Sequence, residues 1–215
     1  MRLLVNGKDV AGGLDKGLTF GGALQAIEER HVGDQEVISS ILVDSEPLTA
    51  EQLSLWKDRG VEEFQEVQVE TKSRSSFAAE GLRLISRVLS ESSTQRDEIV
   101  EHLGQGRSER ALQMLPEYLQ VWNAVQQNLG SAVRLMDLEI ESLEVFDQQE
   151  SGIAKPWPVS EAIDKLSEQL GQVKCALEAG DLVLLGDILD YEFSDLTEGW
   201  QDMLRQLADQ FEPQE

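Results

Sequence analysis

The sequence predicts an α+β fold in two parts. Three observations carry this. Short alternating segments with turn residues between them fill residues 1–74. From residue 75 onward, apolar residues recur at helical spacing. Charge also divides the chain: residues 136–215 hold 20 Asp and Glu against 4 Lys and Arg, a net of −16 out of a formal −23. With 215 residues and 40% hydrophobic composition, the chain can build real cores and does not resemble a disordered polyanion.

In the first part, Leu3-Leu4-Val5 is an apolar run followed by Asn6-Gly7, a hairpin turn pair. A glycine-rich bridge around Gly12-Gly13 leads to Thr19. Residues 20–31 have helical spacing, with Phe20, Leu24 and Ile27 on one face. Val37 to Val43 reads as a buried strand, and Asp44-Ser45-Glu46-Pro47 as a turn. Thr49-Ala-Glu-Gln52 is a capping box in which hydroxyl and amide satisfy N–H groups that the first helical turn leaves unpaired. Leu53 and Trp56 then face a core. Phe64 to Thr71 alternates as a half-exposed strand. The element order is that of a β-grasp-like domain.

Residues 75–215 predict an antiparallel bundle of four to five helices. Ala78, Leu82, Ile85, Leu89, Ile99 and Leu103 form one stripe, with a polar gap at residues 90–95. Leu112, Leu115, Leu119, Trp122 and Leu129 form a second, in which Pro116 should kink or interrupt the helix. Val133, Met136, Ile140 and Leu143 predict a helix over 131–150. Ile163, Leu166, Leu170, Val173 and Leu177 form a fourth stripe. The fifth is Leu185, Ile188, Phe193, Leu196, Trp200, Leu204 and Leu207. Lys155-Pro-Trp-Pro-Val159 cannot be helical throughout and predicts an extended connector, with Ser160 as the next N-cap. Leu103-Gly-Gln-Gly106 and Leu177-Glu-Ala-Gly180 suggest two related helical hairpins; any glycine-turned hairpin would give the same pattern.

The segment from Ala176 to Phe193, Ala-Leu-Glu-Ala-Gly-Asp-Leu-Val-Leu-Leu-Gly-Asp-Ile-Leu-Asp-Tyr-Glu-Phe, resembles a stretch in uncharacterised bacterial proteins that pair a small N-terminal α/β domain with a C-terminal helical region. The resemblance implies the two-part layout. It brings no assigned activity and no functional residue.

Charge excludes several function classes. No basic stripe exists to release counterions, so nucleic-acid binding is not expected. An anionic surface repels acidic membranes and attracts basic partners. No apolar run approaches the ~20 residues that span a bilayer. The opening Met-Arg-Leu-Leu-Val-Asn-Gly lacks a signal-peptide core, and the single Cys175 forms no internal disulfide, so a cytoplasmic location is expected.

No catalytic constellation emerges. A di-iron bundle needs two Glu-x-x-His pairs, and Glu28 to His31 is the one present, outside the helical part. His102, with Glu98 and Glu101 nearby, reads as a solvated ion-pair partner. Two histidines and one cysteine far apart make no zinc site. Asp181, Asp187, Asp190, Glu192, Asp195 and Glu198 lack EF-hand spacing. Cys175, between Val173 and Leu177, reads as a small core residue. Gly12-Gly13, Gly21-Gly22 and Gly104-x-Gly106 match no phosphate-loop pattern. The expectation is therefore a non-catalytic adaptor or chaperone-like protein with no cofactor and no metal, presenting an acidic helical surface to a basic or amphipathic protein partner. The alternative is a bundle that binds a small ligand or metal, with or without catalysis. Candidate partner-binding residues are Trp157, which either plugs its own bundle or anchors a partner, and Asp187, Asp190, Asp195 and Glu198, whose bland reading is a solvated outer face. Homodimerisation is the other use of apolar surface, with residues 90–95 outside the seam. Adaptation to salt is a third account of the acidity, testable by stability against salt.

Overall fold

A computed structural model of the chain describes residues 2–10, 17–147 and 155–212. They divide into two compact units, Met1–Phe77 and Ala78–Glu215. The first holds a mixed five-stranded sheet, and the second is mostly helical, so the chain is α+β. The glycine-rich bridge at Gly12-Gly13 lies outside the described residues.

In the first unit the elements are β1 (Arg2–Val5), β2 (Lys8–Asp9), α1 (Phe20–His31), β3 (Glu36–Val43), β4 (Glu46–Pro47), α2 (Ala50–Trp56) and β5 (Glu66–Ser73). The sheet order is β2-β1-β5-β3-β4, with β1 parallel to β5 and the other pairs antiparallel. Asn6 and Gly7, both at positive φ, make the two-residue turn from β1 to β2. Asn6 also exchanges two hydrogen bonds with Thr71 of β5, accepting from its N–H at 2.9 Å and donating to its hydroxyl at 2.8 Å. Asp44 and Ser45, also at positive φ, turn β3 into β4, and the Asp44 carboxylate accepts from the N–H groups of Gln65 and Glu66 at 2.8 Å. The capping box of α2 forms as its residues dictate: Thr49 Oγ1 accepts from Gln52 N–H and Gln52 Oε1 from Thr49 N–H. Leu3, Val5, Phe20, Ile27, Phe64, Val67 and Val69 make the core. The expectation of a buried strand at Val37 to Val43 is corrected: only Val43 is buried. The two-residue β4 covers β3 at Leu42 and Val43 alone, leaving the rest half-covered near a sheet edge.

In the second unit α3 (Arg74–Gly104), α4 (Ser108–Leu135), α5 (Val159–Ala179), α6 (Leu182–Asp187) and α7 (Phe193–Phe211) contribute to one core. One line of buried positions alternates steps of three and four: Ala78, Leu82, Ile85, Leu89, Ser92, Arg96 and Ile99 on α3, with Ala79 and Ser86 buried beside it; Ala111, Leu115, Tyr118, Trp122, Val125, Leu129 and Ala132 on α4, with Val133 beside it; Val159, Ala162, Leu166, Gln169, Val173 and Ala176 on α5. This is the seven-residue period of helices packed along a seam. Across the polar gap at residues 90–95 the helix stays packed on its own core, with Ser92 and then Arg96 continuing the buried line. Trp122 stands edge-on to Phe193 at 5.6 Å and to Trp200 at 5.9 Å.

Several expectations need correction. Of the two outcomes expected at Pro116, interruption is corrected: α4 runs from Ser108 to Leu135 with the proline inside it. The helix over 131–150 stops at Leu135, where Asp137 turns left-handed at φ 55° and the N–H groups of Asp137 and Leu138 bond back to Arg134 and Val133. The same closure ends α3 at Gly106 (φ 72°) and α5 at Gly180 (φ 66°). Since three helices end alike, the Gly106 and Gly180 turns carry no sign of duplication. The helices that follow these turns also differ: Tyr118, after Gly106, is buried, and Tyr191, after Gly180, is exposed. On α5 the buried face centres on Ala162 and Ala176; Cys175 and Leu177, both expected in the core, are exposed. Ser160 is not the N-cap: α5 starts at Val159, behind Pro158, with no side-chain cap.

The segment expected as helix past residue 140 forms a 3₁₀ turn (Ile140–Ser142) and then β6 (Glu144–Asp147), antiparallel to β7 (Lys155–Pro158). Gln206 of α7 acts as a surrogate strand neighbour for β6. Its Nε2 donates to the Phe146 carbonyl at 2.9 Å, and its Oε1 accepts from the Phe146 N–H at 2.8 Å. Gln210 Nε2 donates to the Glu144 carbonyl at 2.9 Å. Phe146 and Glu144 therefore point their backbone polar groups away from β7. Their partners across the ladder are Pro156 and Pro158, whose nitrogens point away from β6, where a missing N–H costs no ladder bond.

Candidate functional site

The acidic face begins at Gly180, whose left-handed conformation ends α5 and sets up Asp181 as N-cap of α6. Asp181 Oδ1 accepts from the Leu184 N–H at 2.9 Å, so this carboxylate is committed to structure. α6 passes through a π-helical turn (Ile188–Glu192) into α7. Leu185, Ile188, Leu189, Phe193 and Leu196 turn inward and are buried. What remains outside is a row of side chains, Val183, Asp187, Tyr191, Asp195 and Glu198, at successive steps of four, four, four and three, with Leu184 and Asp190 beside it. Val183 is 77% exposed, Tyr191 67% and Leu184 45%.

The stretch that forms this face carries charge of one sign. Between Lys174 and Arg205 the chain has eight Asp and Glu and no Lys or Arg. Among the described residues, Asp187, Asp190, Asp195 and Glu198 make no ion pair. Glu192 instead accepts from the buried Gln169 of α5 at 3.3 Å. The structure thus brings four of the five candidate residues onto one face. Trp157 is not with them. It lies on β7 opposite Val145, half-buried against the helical core, in the hairpin clamped near Gln206, about 12 Å along α7 from Glu198. Sequence reasoning missed Val183, Leu184 and Tyr191, which belong to a run that reads as core. The signal that could have separated them is the five-residue step from Ile188 to Phe193. Both are buried, and a π turn is what allows that step on one face.

Elsewhere the chemistry is sparse. Arg96, with its side chain 10% exposed, donates from Nε and one terminal nitrogen to Asp97 Oδ1 at 3.1 and 2.7 Å. Burial pushes the Tyr118 phenol above its ordinary range, against the opposing pull of the Arg96 charge. Its hydroxyl, the indole nitrogens of Trp122 and Trp200 and Gln169 Oε1 are buried without a hydrogen-bond partner among the described residues. A groove of about 200 Å³ beside β3 and α2 is lined by Ile38, Ser40, Ile41, Leu48 and Leu53 among others, with no titratable side chain. Among the described residues no three of His, Cys, Asp and Glu group as metal ligands, and no helix is long and apolar enough to cross a membrane.

Two family models match the chain. One, described as a domain of unknown function, DUF8042, covers residues 80–203, more than half of the length. The other, described as the TP0873 N-terminal domain, covers residues 1–73. No curated protein and no solved structure shows significant similarity.

Proposed function

We propose that this chain, which belongs to the DUF8042 family, is a non-catalytic protein-interaction protein, an adaptor or chaperone-like component that presents an acidic helical surface to a protein partner. One observation carries the reading: the outer face of α6 and α7 holds Asp187, Asp190, Asp195 and Glu198, exposed and without ion pairs among the described residues, on a stretch with no Lys or Arg. Uncompensated charge of one sign steers oppositely charged partners and costs self-repulsion in the folded state, so its concentration on one face favours use over accident.

The rest of the chain fits this role. The strand order β2-β1-β5-β3-β4 with a parallel β1–β5 pair supports a β-grasp-like reading of the first unit, as a positioning module. The seven-residue period and short turns support an antiparallel bundle for the second. We place the protein in the cytoplasm, where its exposed Cys175 would stay reduced. The test is affinity capture from native extract at low and high salt. A protein partner lost as salt rises is the expected result. Reproducible recovery of a small molecule or metal, with no protein, overturns the reading.

A further inference from the structure

We infer that the partner of the α6–α7 face is a basic amphipathic helix, seated along the row from Val183 to Glu198; this rests on the interaction reading above. The row is not purely ionic. Val183 and Tyr191, at 77% and 67% exposure, alternate with Asp187 and Asp195, and Leu184 widens the apolar strip. Purely repulsive or solvating surface has no use for two large, nearly bare apolar side chains, whereas a docking face uses them as contact anchors inside a polar rim.

The geometry selects a helix as occupant. The row covers 16 residues of helix, about 22 Å from end to end, and from Val183 to Asp195 apolar and acidic side chains alternate roughly every 6 Å. An incoming helix repeats its side chains at the same interval. Leu-type residues at i and i+7 or i+8 meet Val183 and Tyr191, and Lys or Arg at the intervening turns meet Asp187 and Asp195. Charge selects its sign: the stretch between Lys174 and Arg205 carries no Lys or Arg, and among the described residues the acids of the row make no ion pair. The same charge argues against a second copy of this chain, because a two-fold pairing through this face would set acid against acid.

The test uses the full chain and labelled model peptides of about 18 residues, long enough to span the row. One peptide is a Leu/Lys amphipathic helix; the other has the same composition with Leu and Lys reordered so that no apolar face forms. Anisotropy is read at about 50 mM and about 300 mM salt. The expected result is at least about tenfold tighter binding of the amphipathic peptide. The double variant Val183→Ser/Tyr191→Ser removes most of that preference. Asp187→Asn/Asp195→Asn weakens binding of both peptides and flattens its salt dependence. All four positions are exposed, and circular dichroism checks that the variants keep their fold. Equal binding of the two peptides, unchanged by Val183→Ser/Tyr191→Ser, overturns this inference and leaves the acidic-surface reading standing. No binding of either cationic peptide at low salt overturns both. Concentration-dependent dimerisation abolished by Val183→Ser/Tyr191→Ser overturns the helix as occupant.

Discussion

Gln206 offers a sharp test of how the helical unit is held together. Its amide makes two hydrogen bonds to the backbone of Phe146, at 2.9 and 2.8 Å, standing in for the strand that β6 lacks on that side. Gln206→Ala deletes both. Each is worth about 0.5–1.5 kcal/mol net, and Phe146 is 51% exposed, so water recovers part of the loss. The expected cost is about 1–2 kcal/mol, a fall of about 4–8 °C in the melting midpoint of a unit this size. Gln206→Glu separates the two bonds. A carboxylate still accepts from the Phe146 N–H but sets a negative oxygen against the Phe146 carbonyl, so at neutral pH it should do no better than alanine. Stability relative to alanine should rise on acidification, when a protonated carboxyl can donate. Thermal unfolding followed by circular dichroism gives the midpoint, and amide hydrogen exchange at Phe146 reports the clamp itself. If Gln206→Ala leaves both unchanged, the surrogate-strand account is wrong.

Other expectations can be checked together. Gly180→Ala should cost about 1–2 kcal/mol, since open space surrounds the site and the penalty is left-handed backbone alone; Asp137→Gly should stabilise slightly by the same logic, and urea titration of the pair tests both. Cys175 should react with a thiol reagent in the native state as fast as in urea, and Cys175→Ser should shift stability by less than about 0.5 kcal/mol; a protected thiol would refute its exposed placement. Tyr118, its ionisation pushed up by burial, contributes stability that is intact below the unfolded phenol value of about 10 and lost as pH climbs from there toward the folded value. In a Tyr191→Phe chain, where Tyr118 is the only tyrosine, phenolate absorbance should therefore emerge together with loss of helix rather than before it.

What could be read from the sequence was what local chemistry decides. The capping box at Thr49 and Gln52 and the turn at Asn6-Gly7 each involve groups within four residues of one another, so spacing suffices. The helical stripes were legible in period but offset in phase. On α5 the eye follows Ile163, Leu170 and Leu177, whereas the packed line runs through Ala162, Gln169 and Ala176, because small residues let a neighbouring helix approach. The end of α4 was missed because aspartate, not glycine, takes the left-handed position. The β6–β7 pair was missed because the partner for Phe146 is a glutamine 60 residues away. At the candidate site the acids were visible as composition. The bare apolar side chains among them depend on which way a π turn rotates the helix, and that is settled by packing.

The prolines of β7 carry a last implication. A two-stranded ribbon ordinarily has two open margins, each a template on which a stray segment could propagate. Here one margin is occupied by the amides of Gln206 and Gln210, and the other presents Pro156 and Pro158, which have no hydrogen to give. An added strand would find the first margin filled and, on the second, acceptors without donors at those two positions, so growth from this ribbon is disfavoured at both margins.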